Sequence, residues 1–345
     1  MPISVVVGGQ FGSEGKGKVA LEIARRSSGP VTTVRVGGPN SGHTAYDRTG
    51  NKWALRQMPA ACVDLNVDVV FPAGSYLDVE VLTKEIDELK YPIDRIFISQ
   101  YANIITDAHK SWERDAGLPD AIGSTGSGVG AAVMAAAARN AANFPLKAVH
   151  AEHHDRLQQF VCDTSALLFS RLLDGRRVVI EGTQGYGLSL LDGGYWPKAT
   201  ARCTTAAGAL AEAGLSPRFV DDVTMVLRSF PIRVAGDSGP LVGETTWHDI
   251  ARLTARNDDL TEYTTVTHKE RRVGFFDSAL VKRAIAANNP NRIVLNHLDY
   301  IGHIEDMCRM DAPVSRFIRK VESEISQTID WLGFSPLTCA DNVRA

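Results

Sequence analysis

Val7-Gly8-Gly9-Gln10-Phe11-Gly12-Ser13-Glu14-Gly15-Lys16-Gly17-Lys18 is the stretch on which the fold turns. The apolar run Ile3–Gly8 feeds it and reads as a buried strand. Lys16–Ser27 follows, with Val19, Ala20, Ile23 and Ala24 at helical spacing. A strand, a loop rich in glycine and lysine, and a helix together suit an anion. Backbone N–H groups converge where side chains are absent, and the helix adds its positive end. Gly12–Lys18 fits the phosphate-loop pattern G-x-x-x-x-G-K, but Val19 stands where that pattern has a magnesium-binding hydroxyl. On this loop alone two readings stay open: a phosphate cradle, or a glycine turn that packs a helix closely on a strand.

Further along, Val31–Val36 reads as the next strand by its β-branched content. Gly37–Thr44 is a second glycine-rich loop, and its His43 could reach a phosphate or a leaving oxygen. Val67–Phe71 reads as a strand, Val79–Leu89 as a helix and Asp94–Ser99 as a strand. Ile122–Gly130 is a third glycine-rich loop, and Ala131–Ala142 after it has high helix propensity. Strands are expected at Arg176–Gly182, Asp222–Phe230 and Arg292–Leu295. Helices are expected at Thr204–Glu212 (stopping near Gly214), Asp277–Asn288 and Ser315–Gln327. The polar stretch 256–272 reads as a mobile surface loop. This alternation predicts an α/β fold: one large, mainly parallel central sheet flanked by helices, with ligands at the carboxyl edge of its strands. We read residues 1–345 as a single domain, with a helical subdomain over about 106–170.

Composition narrows the function classes. The chain is 44% hydrophobic and 22% charged, which is an ordinary globular balance. A net charge of -3 argues against a nucleic-acid partner. Cys62, Cys162, Cys203, Cys308 and Cys339 are scattered without a C-x-x-C pair, so reduced thiols in a cytoplasmic setting are expected rather than a zinc site. We expect neither a secretory leader nor a membrane span. His150 and His154 have helical i, i+4 spacing, but a solvated helix face is the plainer reading.

Several segments, in order, resemble the adenylosuccinate synthetase family. Gln10–Lys18 resembles its Q-W-G-D-E-G-K-G-K, and Gly37–Thr44 its G-G-x-N-A-G-H-T. Ile122–Gly126 resembles I-G-T-T-G, Glu181–Gly185 resembles E-G-A-Q-G, and Tyr195–Thr205 resembles Y-P-x-V-T-S-x-x-T-T. The segment 266–274 resembles the arginine-rich aspartate loop, Asn296–Asp299 the base-reading T-K-L-D, and Gly333–Pro336 the S-T-G-P loop.

The resemblance implies a two-step ligation. The purine 6-oxygen takes a γ-phosphoryl group, and the amine of L-aspartate then displaces phosphate. Ser13, Lys16, His43 and Gln184 would be catalytic, with His43 as acid and Gln184 holding the purine 6-position. The triphosphate would lie against Ser13, Gly15, Lys16, Gly17, Lys18, Gly42, His43, Thr44, Asn296, Leu298, Asp299 and Gly333. The acceptor nucleotide would contact Ser13, Asn40, Ser124, Thr125, Gln184 and Thr200, with Arg139 reaching in from the other subunit of a homodimer. Aspartate would meet Thr264, Thr265, Val266, Thr267, Arg271 and Arg272, while Ser13 and the Gly42 carbonyl would hold Mg2+.

Two departures matter. Ser13 replaces the aspartate that deprotonates the purine N1 in the family. A serine is no base near neutrality, so the chain is either a silent nucleotide-binding module or an enzyme with a changed acceptor. The shorter side chain frees room beside N1, where guanine carries its 2-amino group. A phage branch resembling this family acts on dGMP to make 2-amino-2'-deoxyadenylosuccinate, and dGMP is the acceptor expected here. Asn296-His297 also replaces the T-K that packs on guanine, so ATP (or dATP) is expected as donor rather than GTP. Ordinary use of IMP with GTP is the rival reading.

Overall fold

The computed structural model describes residues 3–64, 67–255, 259–264, 268–302, 310–337 and 339–342. Ten strands form one sheet. From one edge it runs Ala340–Asp341, Trp331–Leu332, Arg292–Asn296, Val220–Arg228, Ile3–Gly8, Arg177–Glu181, Val31–Arg35, Asp68–Phe71, Ile96–Ser99 and Val161–Cys162. Every neighbouring pair is parallel except the last two C-terminal strands. Parallel neighbours need crossovers, so helices cover both faces and the inner strands are apolar on both sides. Ile3–Gly8 is buried throughout, as its run of Ile and Val requires.

The period of two along a strand divides the core in two. Ile3, Val5 and Val7 face a layer that includes the helices Ala206–Ala213, Ser278–Asn288 and Ala312–Ile325. Val6 faces the opposite layer, built on the helices Lys16–Arg25 and Val79–Leu89. The helix boundaries follow local chemistry. Asp78, Thr205 and Asp277 cap helix N-termini with their side chains, and Gly214 ends a helix in the left-handed conformation. Among the described residues no helix is long and apolar enough to cross a membrane.

Four local expectations change. His43 and Thr44 lie in a strand, His43–Tyr46, that pairs antiparallel with Lys52–Leu55, so the second glycine loop ends two residues earlier, at Gly42. The alanine-rich helix is Val129–Ala137, and the chain leaves it at Arg139 and Asn140, both at positive φ. Helical structure beside the sheet covers Asp107–Asp115, Leu118–Ile122 and Val129–Ala137. Beyond it, Val161–Cys162 joins the sheet and Thr164–Leu173 buries Leu168 and Leu172 in the core, so 161–170 belongs to the main body. Around His150 the chain forms a short 3-10 turn, Ala151–His153, which breaks the i, i+4 spacing of His150 and His154.

Candidate active site

Parallel strands place their following loops at one edge, and three of them build the site. The first is held from inside by Glu14, which is fully buried. One carboxylate oxygen accepts from the backbone N–H of Gln10 (3.2 Å) and Gly12 (2.8 Å), and the other from Lys16 Nζ (2.7 Å). Glycine at position 8 follows from this, since a Cβ there would lie 2.6 Å from the Glu14 carboxylate. The loop then turns through positive φ at Gly12, Ser13 and Gly15, and Gly15 begins the helix. Lys16 is 2% exposed and already paired, so it sits behind the cradle rather than on the pocket wall.

The second loop and the strand Arg177–Glu181 bring together a buried triad. Arg35 and the His43 ring nitrogen Nδ1 both donate to the same oxygen of Glu181, whose other oxygen accepts from Ala60 N–H at 2.8 Å. Arg35 Nη1 contacts Nδ1 of His43 as well, so the proton on Nδ1 is an assignment made to satisfy the Glu181 carboxylate, with Nε2 facing Ser41 Oγ (3.5 Å). Burial, with the Arg35 charge beside it, pushes His43 down to about 4, against the pull of Glu181. The ring is therefore neutral near pH 7. Glu181 is held down at about 2, because Arg35 and His43 outweigh its own burial.

One pocket opens beside these loops. It brings together Ser13, Asn40, Gly42, Ser124, Thr125, Gln184, Thr200, Thr264 and Arg271. Asn40 Oδ1 is buried and makes no hydrogen bond within the protein. Gln184 is held at positive φ with the backbone of Gly12 against it. The Ser124 hydroxyl donates at 3.4 Å to Glu113, a residue the sequence did not single out, and Thr125 pairs with Ser127 at 2.7 Å. The Glu113 carboxylate also accepts from Gly128 N–H (2.9 Å), Gly130 N–H (2.7 Å) and Ala131 N–H (3.2 Å), at the start of the helix Val129–Ala137. Glu113→Gln is expected to lower unfolding stability by roughly 1–3 kcal/mol, as charge-assisted hydrogen bonds become ordinary ones. Urea titration measures this, and the acceptor nucleotide should bind more weakly in the same variant.

Ser13 is the meeting point of the first loop and the 259–272 segment. Its hydroxyl oxygen accepts from Arg271 Nη1 at 2.6 Å, and its carbonyl from Arg228 Nη1 at 3.1 Å. Burial and the Arg228 charge drive the nearby His297 ring down to about 3. The described part of 256–272 is thus no free surface loop: Leu260 and Thr264 are buried, and Arg272 starts a strand pairing with Ile232–Arg233.

Behind the first helix, Asn296 and Gly333 meet Lys18. Asn296 Nδ2 donates to the Glu14 carbonyl (2.7 Å), and Lys18 Nζ to the Ser335 carbonyl (3.0 Å). A Cβ on Gly333 would lie 2.6 Å from Lys18 Nζ. Burial lowers Lys18, with Cys339 and Asp299 opposing. Leu298 is a core residue, so only its backbone, bonded to the Gly333 carbonyl at 3.1 Å, can serve this region. Gly17 lies against His43, and Thr44 is exposed.

Two expected partners are elsewhere. Arg272 is bound by Glu244 (2.6 Å to each oxygen) and the Gly239 carbonyl, because alternation along its strand turns it away from Arg271. Arg139 is exposed and outside the pocket of its own chain. Thr265, Val266 and Thr267 lie outside the described residues.

A magnesium ion takes hard oxygen donors and keeps substrate phosphates and waters among them. Among the described residues no group of three or more His, Cys, Asp or Glu is placed to hold a metal. The Gly42 carbonyl and the Ser13 hydroxyl are both oxygen donors on the pocket wall, which fits an ion carried in largely by triphosphate oxygens. Ser13 is the weaker of the two, since Arg271 already claims one of its lone pairs.

Glycine loops at one sheet edge, a buried Lys–Glu pair and a neutral histidine held by glutamate form an edge suited to an anionic ligand. The adenylosuccinate synthetase family profile matches residues 5–148 and 145–308. Adenylosuccinate synthetase of Pyrococcus sp. (strain ST700) is 33% identical over 344 residues, covering 97% of this chain and 96% of the relative. That of Methanococcus aeolicus is 34% identical, with 97% of each chain covered. The chain belongs to the adenylosuccinate synthetase family, and it is a ligase that forms a C–N bond between aspartate and a purine nucleotide. Among solved structures it resembles cyanophage S-2L succinoaminodeoxyadenylate synthetase (PurZ) bound to dGMP and to dATP as an energy donor. The TM-score is 0.82 and the identity 26%, over 99% of this chain and 95% of that one. It also shares the fold of Plasmodium falciparum adenylosuccinate synthetase, with TM-score 0.82 at 20% identity over 97% and 98% of the two chains.

Proposed function

We propose that this enzyme joins L-aspartate to the 6-position of dGMP, with ATP or dATP as phosphoryl donor, giving 2-amino-2'-deoxyadenylosuccinate, nucleoside diphosphate and phosphate. The observation that carries the reading is Ser13. It lines the pocket with Gln184 and Asn40 and stands where the family pattern has a carboxylate; its shorter side chain would leave room for an exocyclic amine next to N1. The likeness to the dGMP-bound phage enzyme supports it. The named relatives at 33–34% identity are ordinary synthetases and favour the IMP reading. Ser13 decides between them in our reading, because it would face the edge at which the two purines differ.

Gln184 would hold the 6-oxygen, and Asn40, Ser124, Thr125 and Thr200 the 5'-phosphate. The 6-oxygen attacks the γ-phosphorus and the diphosphate leaves; the amine of aspartate then displaces phosphate from C6. Phosphoryl oxygens arriving at Nε2 would raise the proton affinity of His43, with Glu181 supporting the imidazolium, so the ring gains its acid character only with substrate bound. Mg2+ at Gly42 and Ser13 would neutralise charge on the transferring phosphoryl group. Arg271 would meet an aspartate carboxylate, along with Thr264.

The test is a matrix of dGMP or IMP against ATP, dATP or GTP, with aspartate and magnesium, read as phosphate release. Fastest release with dGMP and an adenine donor supports the reading, and faster release with IMP overturns it. The exposed Arg139 gives a second expectation. If it completes the neighbouring subunit's site, mixing inactive Arg139→Ala and His43→Asn proteins under subunit exchange restores part of the activity; a mixture as dead as its components refutes the shared site.

A further inference from the structure

Ser13 is held by a carboxylate it never touches. Glu262 accepts from Arg228 on both oxygens, from Arg271 Nη1 at 3.2 Å and from Tyr300 Oη at 2.9 Å. The same two guanidinium groups grip Ser13, Arg271 at its hydroxyl and Arg228 at its carbonyl. Glu262 is kept ionised at about 2, Arg228 outweighing its burial. One partly buried acid thus bridges two arginines that would otherwise repel, and the arginines fix both the side chain and the backbone of a serine at φ 57.

We infer that Glu262 is a positioning residue that sets acceptor-base selectivity through Arg271 and Ser13. The inference rests on the reading of Ser13 as the edge facing the purine. A hydroxyl has one O–H and two lone pairs. Arg271 occupies one lone pair, so the groups left to meet a base are fixed in number and direction. Arg271 also lines the pocket. Freed from Glu262, its charge would turn to the nearest substrate anion, and Ser13 would lose its donor. The acceptor and aspartate sites should loosen together, and the donor nucleotide less, because the residues beyond Ser13 in its loop make no contact with Glu262.

The experiment is steady-state kinetics on wild type, Glu262→Gln, Ser13→Ala and the double variant, with dGMP and IMP in parallel. Glu262→Gln keeps the shape and removes the charge. Its kcat/KM for the preferred acceptor should fall about 10- to 100-fold, the range for losing charge-assisted hydrogen bonds. The fall should come mainly through acceptor and aspartate KM, with donor KM moved less and the dGMP-to-IMP ratio compressed. In the Ser13→Ala background the same change should leave that ratio where it is. An equal loss for both acceptors, or full additivity with Ser13→Ala, overturns the inference. Tyr300→Phe removes one hydrogen bond to Glu262 and covers the case of a poorly folded Glu262 variant; an unmoved ratio there counts against the inference too. Wild-type preference for IMP would sink the dGMP reading alone, because the coupling between Glu262 and Ser13 is read from a ratio whichever acceptor wins.

Discussion

Ser13→Asp is expected to lower kcat/KM for dGMP by about 5- to 150-fold, the equivalent of the 1–3 kcal/mol that overpacking a filled site costs. The variant adds two heavy atoms at a wall whose geometry is already set by Arg271 and Arg228. An aspartate there would take Arg271 as a salt-bridge partner, so the fold should tolerate it and the loss should be one of fit. IMP, which lacks the 2-amino group, should be spared, and the dGMP-to-IMP ratio should fall. Parallel kinetics on the two acceptors measure it. Better dGMP turnover in this variant would remove the spatial argument for a guanine acceptor.

His43→Asn is expected to lower kcat by about a hundred- to ten-thousand-fold, the usual contribution of a positioned acid or base. Acceptor KM should move little, because His43 is buried behind the pocket wall rather than lining it. Glu181 would keep Arg35 and the Ala60 N–H, so the fold should survive and thermal melts should stay close to wild type. Single-turnover phosphate release isolates the phosphoryl step. A variant whose phosphoryl step is unimpaired would remove His43 from the chemistry.

Local pattern carried the sequence reading a long way. Val79–Leu89 is a helix with the bounds its periodicity predicts, and Ile3–Gly8 is a strand over its full expected length. Ser13, Asn40, Ser124, Thr125, Gln184, Thr200 and Arg271 share one pocket because glycine loops after parallel strands open at one edge. What stayed hidden is what depends on distance. Glu14 reads as a loop acid and proves to be the peg that folds the loop. Glu262 and Arg228 are far from Ser13 in the chain, and no period or motif announces their pairing. Arg272 is the opposite case. A pair of adjacent arginines reads as one cluster, but Arg271 reaches Ser13 while Arg272 pairs with Glu244.

The order of the strands bears on when this enzyme can first exist. Ile3–Gly8 lies inside the sheet, flanked by strands that begin at Arg177 and Val220. A nascent chain leaving the ribosome therefore carries its nucleotide loop unsupported until the strand Val220–Arg228 has emerged. Closing such long-range pairings is slow and exposes apolar edges meanwhile. Fragments truncated before Val220 should not retain nucleotide, however complete their amino-terminal motif, and chaperone demand should concentrate in that interval of translation.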